Sequence, residues 1–222
     1  MLKQQFIGPE LLHTPIAEAY RKLRTSIQLA EKGANLQTLM FTSSGPGEGK
    51  SVTAANTGVV LAHYGKRVII VDCDLRKPDQ HQIFRKVNQG LTDVLVKGNS
   101  LTDLIQPTGV DNLDLLASGA TPPNPSELLG SARMMEIITA IKSQYDYALF
   151  DTPPVLAVTD ACVLASRVDG VVLVIAAGMV KPSTARDSKE LLIKAKGELL
   201  GVVLNKALTR KDQHLHYHYY YS

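Results

Sequence analysis

Eleven consecutive residues constrain this chain more than any others: Phe41-Thr42-Ser43-Ser44-Gly45-Pro46-Gly47-Glu48-Gly49-Lys50-Ser51. The apolar run Leu39-Met40-Phe41 leads into them as a buried strand would, and a small-residue helix pattern, Val52 to Ala62, follows. A Gly-rich turn ending in Gly-Lys-Ser between strand and helix has the form of a phosphate-binding loop. Glycines let backbone N–H groups turn inward around phosphate oxygens, and the helix N-terminus adds its positive dipole end. Lys50 supplies a mobile positive charge, and the Ser51 hydroxyl is a Mg²⁺ ligand candidate. The nucleotide-contacting set is therefore Gly45, Gly47, Glu48, Gly49, Lys50, Ser51 and Val52. A Gly-rich turn with a surface lysine is the plainer reading, but it does not account for the strand before and the helix after.

The rest of the chain fits an α/β frame around this loop. Val68-Ile69-Ile70-Val71 is a run of four β-branched residues, as in a strand buried on both faces. Further strands are predicted at Asn112 to Ala117, Tyr147 to Phe150, Gly170 to Ala176 and Leu199 to Leu204. Helices are predicted from Thr14-Pro15 to about Lys32, with Gly33 as the stop, and from Pro125 to about Tyr145. Two more run from Thr159 to about Arg167 and from Lys181 to Lys196. Between 79 and 112 only short helices are expected, at Gly90 to Val96 and Leu101 to Ile105. Alternating strands and helices predict a doubly wound, mostly parallel sheet of the P-loop NTPase type, flanked by helices. No repeat or second core is visible. Residues 1–208 read as one domain, and 209–222 as a flexible Tyr-rich tail.

Two strand ends carry carboxylates. The β-branched run ends Asp72-Cys73-Asp74, where the two-residue period of a strand puts both acids on one side. Phe150-Asp151-Thr152-Pro153 ends another strand. Ligands of open parallel sheets bind beyond the carboxyl ends of strands. Two acids on one face repel unless a cation or donor relieves them, so Asp72 and Asp74 suit a cation site better than a turn cap. Asp151 suits an acid that holds metal-bound water.

Composition excludes more than it selects. The chain of 222 residues is 45% hydrophobic with a net charge of +3, which points neither to nucleic acid nor to a membrane surface. Cys73 and Cys162 sit in apolar surroundings, as buried thiols do. No signal peptide and no apolar run of membrane-spanning length is present, which predicts a cytoplasmic protein.

The first helix carries Glu18, Arg21 and Arg24 three residues apart, which reads physically as a solvated charged face. The chain closes His214-Leu215-His216-Tyr217-His218-Tyr219-Tyr220-Tyr221-Ser222. Those tyrosines have no period that faces a core. A sticky disordered tail, a weak metal-binding His tract and a substrate segment all remain open on the residues alone.

Together these segments resemble the bacterial tyrosine kinases (BY-kinases) of capsule and exopolysaccharide assembly. The resemblance covers nearly the whole chain. It rests on Glu18-x-x-Arg21-x-x-Arg24, the loop at 44–51, Asp72-Cys-Asp74-Leu-Arg76-Lys-Pro78, Pro122-Pro123-Asn124-Pro125-Ser126-Glu127-Leu128, Asp151-Thr-Pro153-Pro154 and the tyrosine cluster. It implies an ATP- and Mg²⁺-dependent protein-tyrosine kinase. The loop is then Walker A, the end of the second strand Walker A′, and Asp151 Walker B. Lys50 and Asp72 become catalytic, with Asp72 as base. Ser51, Asp74 and Asp151 become the metal set, and Asn205 an adenine contact.

The same resemblance makes Tyr217, Tyr219, Tyr220 and Tyr221 sites of trans-autophosphorylation, and Glu18, Arg21 and Arg24 an oligomerisation motif for a ring-like homo-oligomer. It implies a separate membrane-anchored activator similar to polysaccharide co-polymerases, which recruits the kinase to the inner face of the membrane. A tyrosine phosphatase and other protein substrates are further implied partners, and nucleic acid is not. The alternatives are a MinD/ParA-like positioning ATPase and a nucleotide-binding scaffold. Gly45 stands where the positioning ATPases carry a signature lysine. The intact Lys50, Ser51 and three aspartates argue against a scaffold.

Overall fold

Strands that are apolar on both faces need cover on both faces, and that requirement organises the molecule. The computed structural model describes residues 14–30 and 36–207. The lead at 1–13, the predicted helix stop at Gly33 and the tail with Tyr217, Tyr219, Tyr220 and Tyr221 lie outside the described residues. In chain order the elements are α1 (Pro15–Ala30), β1 (Thr38–Ser43), α2 (Lys50–His63), β2 (Val68–Asp72), α3 (Gln80–Ile83), α4 (Leu91–Lys97), α5 (Leu101–Leu104), β3 (Gln106–Pro107), β4 (Leu113–Leu116), α6 (Pro125–Leu129), α7 (Ala132–Lys142), β5 (Tyr147–Asp151), α8 (Asp160–Ala165), β6 (Gly170–Ala176), α9 (Pro182–Lys194) and β7 (Leu199–Asn205).

The seven strands lie in the order β3-β4-β2-β5-β1-β6-β7, parallel throughout except for β3 against β4. Every residue of β1, β2, β5 and β6 is buried. Alternate side chains feed two cores. Leu39, Phe41, Ile70, Leu149 and Val172 pack with Ala17 and Ile27 of α1 and with Ala54 and Val59 of α2. Met40, Ile69, Val71, Phe150 and Leu173 pack with Ile137, Leu164 and Leu192 of α7, α8 and α9. This two-sided cover is why those strands read as continuous apolar runs. Phe41 and Phe150 are among the largest fully buried side chains, so truncating either to Ala costs about 3–5 kcal/mol.

Three details differ from the sequence reading. The long helix predicted from 125 breaks into α6 and α7. The Ser131 hydroxyl caps the new start by accepting the Met134 N–H at 3.2 Å, so the chain spends a cap rather than running through. The two-residue strand β3 is additional, and its Pro107 suits an edge, where a missing N–H costs nothing. Finally, β2 ends at Asp72, so the strand period does not reach Asp74 and the two acids point to different partners. Because β2, β5 and β1 are adjacent and parallel, the phosphate-loop motif, Asp72 and Asp151 meet at one edge of the sheet. No helix among the described residues is long and apolar enough to cross a membrane.

Candidate active site

The loop between β1 and α2 is shaped by its own glycines and by one inward carboxylate. Gly47 and Gly49 have φ of 76° and 96°, in the left-handed region where a side chain is strained. The Glu48 side chain is buried. Its Oε1 accepts the Gly45 N–H, and its Oε2 accepts the Ala176 N–H at 3.1 Å from the end of β6. Glu48 thus serves the shape of the loop with its side chain and leaves only its backbone to a ligand. Asn205, at the end of β7, donates from Nδ2 to the Glu48 carbonyl at 2.8 Å, and Lys206 Nζ donates to the Gly47 carbonyl at 2.6 Å. Asn205 therefore sits against the loop. A cleft of about 210 Å³ opens there, lined by Gly47, Gly49, Lys50, Ser51 and Val52 on one side and by Asp79, Gln82 and Ile83 on the other.

At the base of the cleft the sequence-predicted residues come together around Lys50. Its ammonium lies 2.8 Å from Asp74 Oδ2, 3.4 Å from Asp151 Oδ1 and 3.1 Å from Ser51 Oγ. Burial works against charge on Lys50, but the carboxylates of Asp151, Asp74 and Asp72 outweigh it and hold the lysine above its usual pKa. Asp72 is paired with Asp151 across β2 and β5 and is wholly buried. Its Oδ1 accepts the Asp74 N–H at 3.2 Å; its Oδ2 accepts the N–H groups of Asp79 and Gln80 at 3.1 and 3.0 Å. Burial, and then repulsion from Asp151, push Asp72 well above the carboxylate range, against the pull of the Gln80 N–H and Lys50. Burial likewise raises Asp151, opposed by Lys50, Ser51 and Gln80.

These donors fit a hard divalent cation. Among the described residues no group of three or more His, Cys, Asp or Glu side chains forms a metal cage. Mg²⁺, however, is ordinarily held by one or two carboxylates together with water and substrate phosphate. Ser51, Asp74 and Asp151 already converge on one positive charge, the Lys50 ammonium.

The α1 face stands apart. Arg21 pairs with Glu18 at 2.9 Å, and the Arg24 guanidinium lies 4.3 Å from the centroid of the Tyr64 ring. Tyr64 caps the C-terminus of α2, whereas Lys50 begins that helix. Fourteen residues at about 1.5 Å rise separate the two groups by roughly 20 Å.

Several contributors have a role that the sequence did not assign, although Arg76 and Ser126 lie in quoted motifs. Arg76 grips Asp160 with both arms of its fork, Nε to Oδ2 at 2.8 Å and an Nη to Oδ1 at 3.1 Å, and Ser126 Oγ donates to the same Asp160 Oδ1. This ties the segment after β2 to α6 and to α8. Gln80 joins Asp151 to the start of α2. Only the length of the Asp-x-Asp-x-Arg-Lys-Pro run hinted at such a role.

Residues 36–181 match the AAA domain family. The tyrosine-protein kinase YwqD of Bacillus subtilis is 45% identical over 205 residues, which cover 92% of this chain and 86% of YwqD. The chain belongs to the bacterial tyrosine-protein kinase family. The putative tyrosine-protein kinase CapB of Staphylococcus aureus is 39% identical over 99% of this chain and 98% of its own length. Among solved structures, the chimerical protein CapA2B2 superposes with a TM-score of 0.85 at 38% identity, covering 90% of each chain, and the kinase domain of Escherichia coli tyrosine kinase ETK with a TM-score of 0.86 at 32% identity, covering 93% of this chain and 83% of that one. The septum site-determining protein MinD of Pyrococcus horikoshii, complexed with Mg-ADP, reaches a TM-score of 0.66 at 24% identity and shares the fold alone. The fold is therefore common to kinase and positioning ATPase, and sequence identity separates them.

Proposed function

We propose that this chain transfers the γ-phosphoryl group of ATP to tyrosine hydroxyls, its own Tyr217, Tyr219, Tyr220 and Tyr221 among them, and that it acts in trans within a ring-like homo-oligomer. The observation that carries this reading is the convergence of Lys50, Ser51, Asp72, Asp74 and Asp151 at the base of the cleft beside the Gly-rich loop. Phosphoryl transfer has a loose transition state, so positioning and charge neutralisation supply most of the acceleration. The loop amides and Lys50 bind and orient the phosphates. Ser51, Asp74 and Asp151 are the oxygens that hold Mg²⁺, which when bound neutralises charge on the phosphate oxygens. Tyrosine has a pKa of about 10 and meets the site protonated. Asp72, at the end of the second strand beside Asp151, is the base that takes up that proton in its ionised form. Since Asp72 is fully buried under the N–H groups of Asp79 and Gln80, the segment between Arg76 and Gln80 has to move for a tyrosine to reach it.

Glu18, Arg21 and Arg24 supply the subunit contact in this reading, and Asn205 the adenine contact. A tethered tail sees a neighbouring subunit's site at high effective concentration. Roughly −2 charge per phosphate then loosens the ring by repulsion. The physiological setting is control of capsule or exopolysaccharide polymerisation and export. There the kinase is held at the inner membrane face by a membrane-anchored activator and opposed by a tyrosine phosphatase, and it also acts on other proteins.

The test is labelled ATP with Mg²⁺, with and without the activator's cytosolic segment, followed by mapping of the label. Phosphotyrosine within 217–221, abolished in a folded Lys50→Met protein, is expected. ATP hydrolysis with no label on tyrosine would sink the kinase reading and favour a positioning ATPase.

A further inference from the structure

Gln80 is a buried polar group that the reaction above leaves unused. It begins α3 and its side chain is wholly buried. Nε2 donates to the Ser51 carbonyl at 3.0 Å and to Asp151 Oδ2 at 2.9 Å, while the backbone N–H donates to Asp72 Oδ2 at 3.0 Å. One residue thus touches both strand-end acids and the first turn of α2. Its carboxamide cannot be turned round. A carbonyl and a carboxylate only accept, so a flipped amide would set oxygen against two oxygens. That fixes Oε1 as the other pole of the group, buried and with no hydrogen-bond partner among the described residues. Buried acceptors without donors are rare in folded proteins and each needs a reason.

The reason lies in what surrounds it. Asp151 Oδ1 faces the Lys50 ammonium while Oδ2 is taken by Gln80, so the carboxylate is held in one rotation. A hydrated divalent cation presents water protons that need acceptors, and Oε1 belongs to the same carboxamide that orients one of the cation's carboxylates. A glutamate at this position would place a second charge against Asp151 Oδ2. A serine or alanine would leave Oδ2 unheld. A neutral amide supplies a donor on one side and an acceptor on the other.

We infer that Gln80 is a positioning residue of the divalent-cation site: Nε2 fixes the Asp151 carboxylate, and Oε1 accepts a hydrogen bond from water bound to the cation. The inference rests on the assignment of Ser51, Asp74 and Asp151 as cation oxygens. It does not require that tyrosine be the phosphate acceptor.

The test uses the full chain and reads binding. Mn²⁺ affinity is titrated by electron paramagnetic resonance in the presence of ADP, and ADP affinity is measured separately in EDTA. Gln80→Met keeps the length and removes donor and acceptor. Its Mn²⁺ affinity is expected to fall about ten- to a hundredfold, the usual cost of losing a group that orients a metal ligand, with metal-free ADP affinity unchanged. Gln80→Asn, one methylene short of both partners, gives the same loss and serves if the Met variant does not fold. A fall of less than threefold in a variant with wild-type circular dichroism overturns the inference. So does an equal fall in metal-free ADP affinity, which marks general damage. If the wild type itself takes up no Mn²⁺ with ADP, the cation assignment falls and Gln80 with it. Failure of tyrosine labelling, by contrast, would remove the kinase reading and leave the Mn²⁺ result standing.

Discussion

Lys50→Met isolates the charge at the centre of the site, and its cost can be bounded. Lys50 Nζ lies 2.8 Å from Asp74 and 3.4 Å from Asp151. At an effective dielectric near 20, these contacts are gross attractions of about 6 and 5 kcal/mol. Desolvation of the lysine offsets much of that, and removing one partner of a buried pair ordinarily costs about 3–5 kcal/mol. Protonation sets a ceiling for each carboxylate left without Lys50. One of ordinary pKa 3.8 that must be neutral in the folded variant costs at most about 1.36 kcal/mol per pH unit above 3.8. That is about 4.4 kcal/mol per carboxylate at pH 7 and about 1.6 at pH 5, and the two acids at 2.8 and 3.4 Å share one loss when they share a proton or a solvent cation.

The direction follows from the raised carboxylates. Asp72 and Asp151 are raised in the folded state, so their contribution is fully present below the unfolded pKa and is lost as pH rises. Lys50 is raised too, and its contribution is lost only above pH 10.5, outside the range tested. Without Lys50 the carboxylates rise further and the decline with pH steepens. We expect Lys50→Met to be destabilised by about 3–4 kcal/mol at pH 7, or roughly 6–16 °C in Tm for a chain of 222 residues, and by less than about 1.6 kcal/mol at pH 5. Urea unfolding in EDTA at pH 5, 6, 7 and 8, at fixed protein concentration, reads this directly. Millimolar Mg²⁺ should stabilise the variant more than the wild type, because Ser51, Asp74 and Asp151 no longer hold an ammonium. A loss that does not vary with pH, or a variant as stable as wild type at pH 8, would refute the reasoning.

Three further outcomes are expected. Asp72→Asn should slow tyrosine labelling by about 10²–10⁴-fold, the usual worth of a general base; a drop under tenfold in initial rate removes Asp72 from that role. Asp160→Asn removes the negative charge and one of the two oxygens that the Arg76 fork holds, leaving a single oxygen for Arg76 and Ser126 to share. Because Arg76 is 43% exposed while Asp160 is buried, about 1–2 kcal/mol of stability should be lost, and a urea-derived change under about 0.5 kcal/mol contradicts the clamp. Burial, then Asp72, push the Cys73 thiol well above its ordinary pKa, so Ellman's reagent at pH 8 should label Cys73 only as fast as the protein unfolds. Rapid labelling of Cys73 in a native Cys162→Ala protein would show that the strand end is open to solvent.

Local periodicity and short motifs carried the sheet, the phosphate-loop motif and the three aspartates, because each depends on neighbours a few residues away. Four β-branched residues in a row can be satisfied only between two layers, and residues 68–71 sit there. The break at Gly130-Ser131 does have a local signal, a helix-stopping glycine followed by an N-cap serine, but helix-forming residues on either side of the pair masked it; the Met134 N–H bond to the Ser131 hydroxyl marks the new start. The partners that fix the acids escaped for a different reason. Gln80 meets Asp151 across 71 residues of sequence, Arg76 meets Asp160 across 84, and Glu48 meets Ala176 across 128. Nothing in the spacing of a chain records which distant side chain will fill a given lone pair.

The geometry also joins two roles that the motif keeps apart. In the sequence, Lys50 belongs to phosphate and Ser51, Asp74 and Asp151 belong to metal. In the folded protein the ammonium touches all three oxygens, so they form one electrostatic unit. Drawing Lys50 toward a phosphate weakens its hold on two buried carboxylates, which then favour another cation. A cation placed among those oxygens in turn releases Lys50 for phosphate. Each event lowers the cost of the other, and linkage makes the coupling equal in both directions. On the proposed assignment of Ser51, Asp74 and Asp151 to the cation, nucleotide and divalent cation are expected to bind as a single joint event, and Lys50→Met is expected to uncouple them.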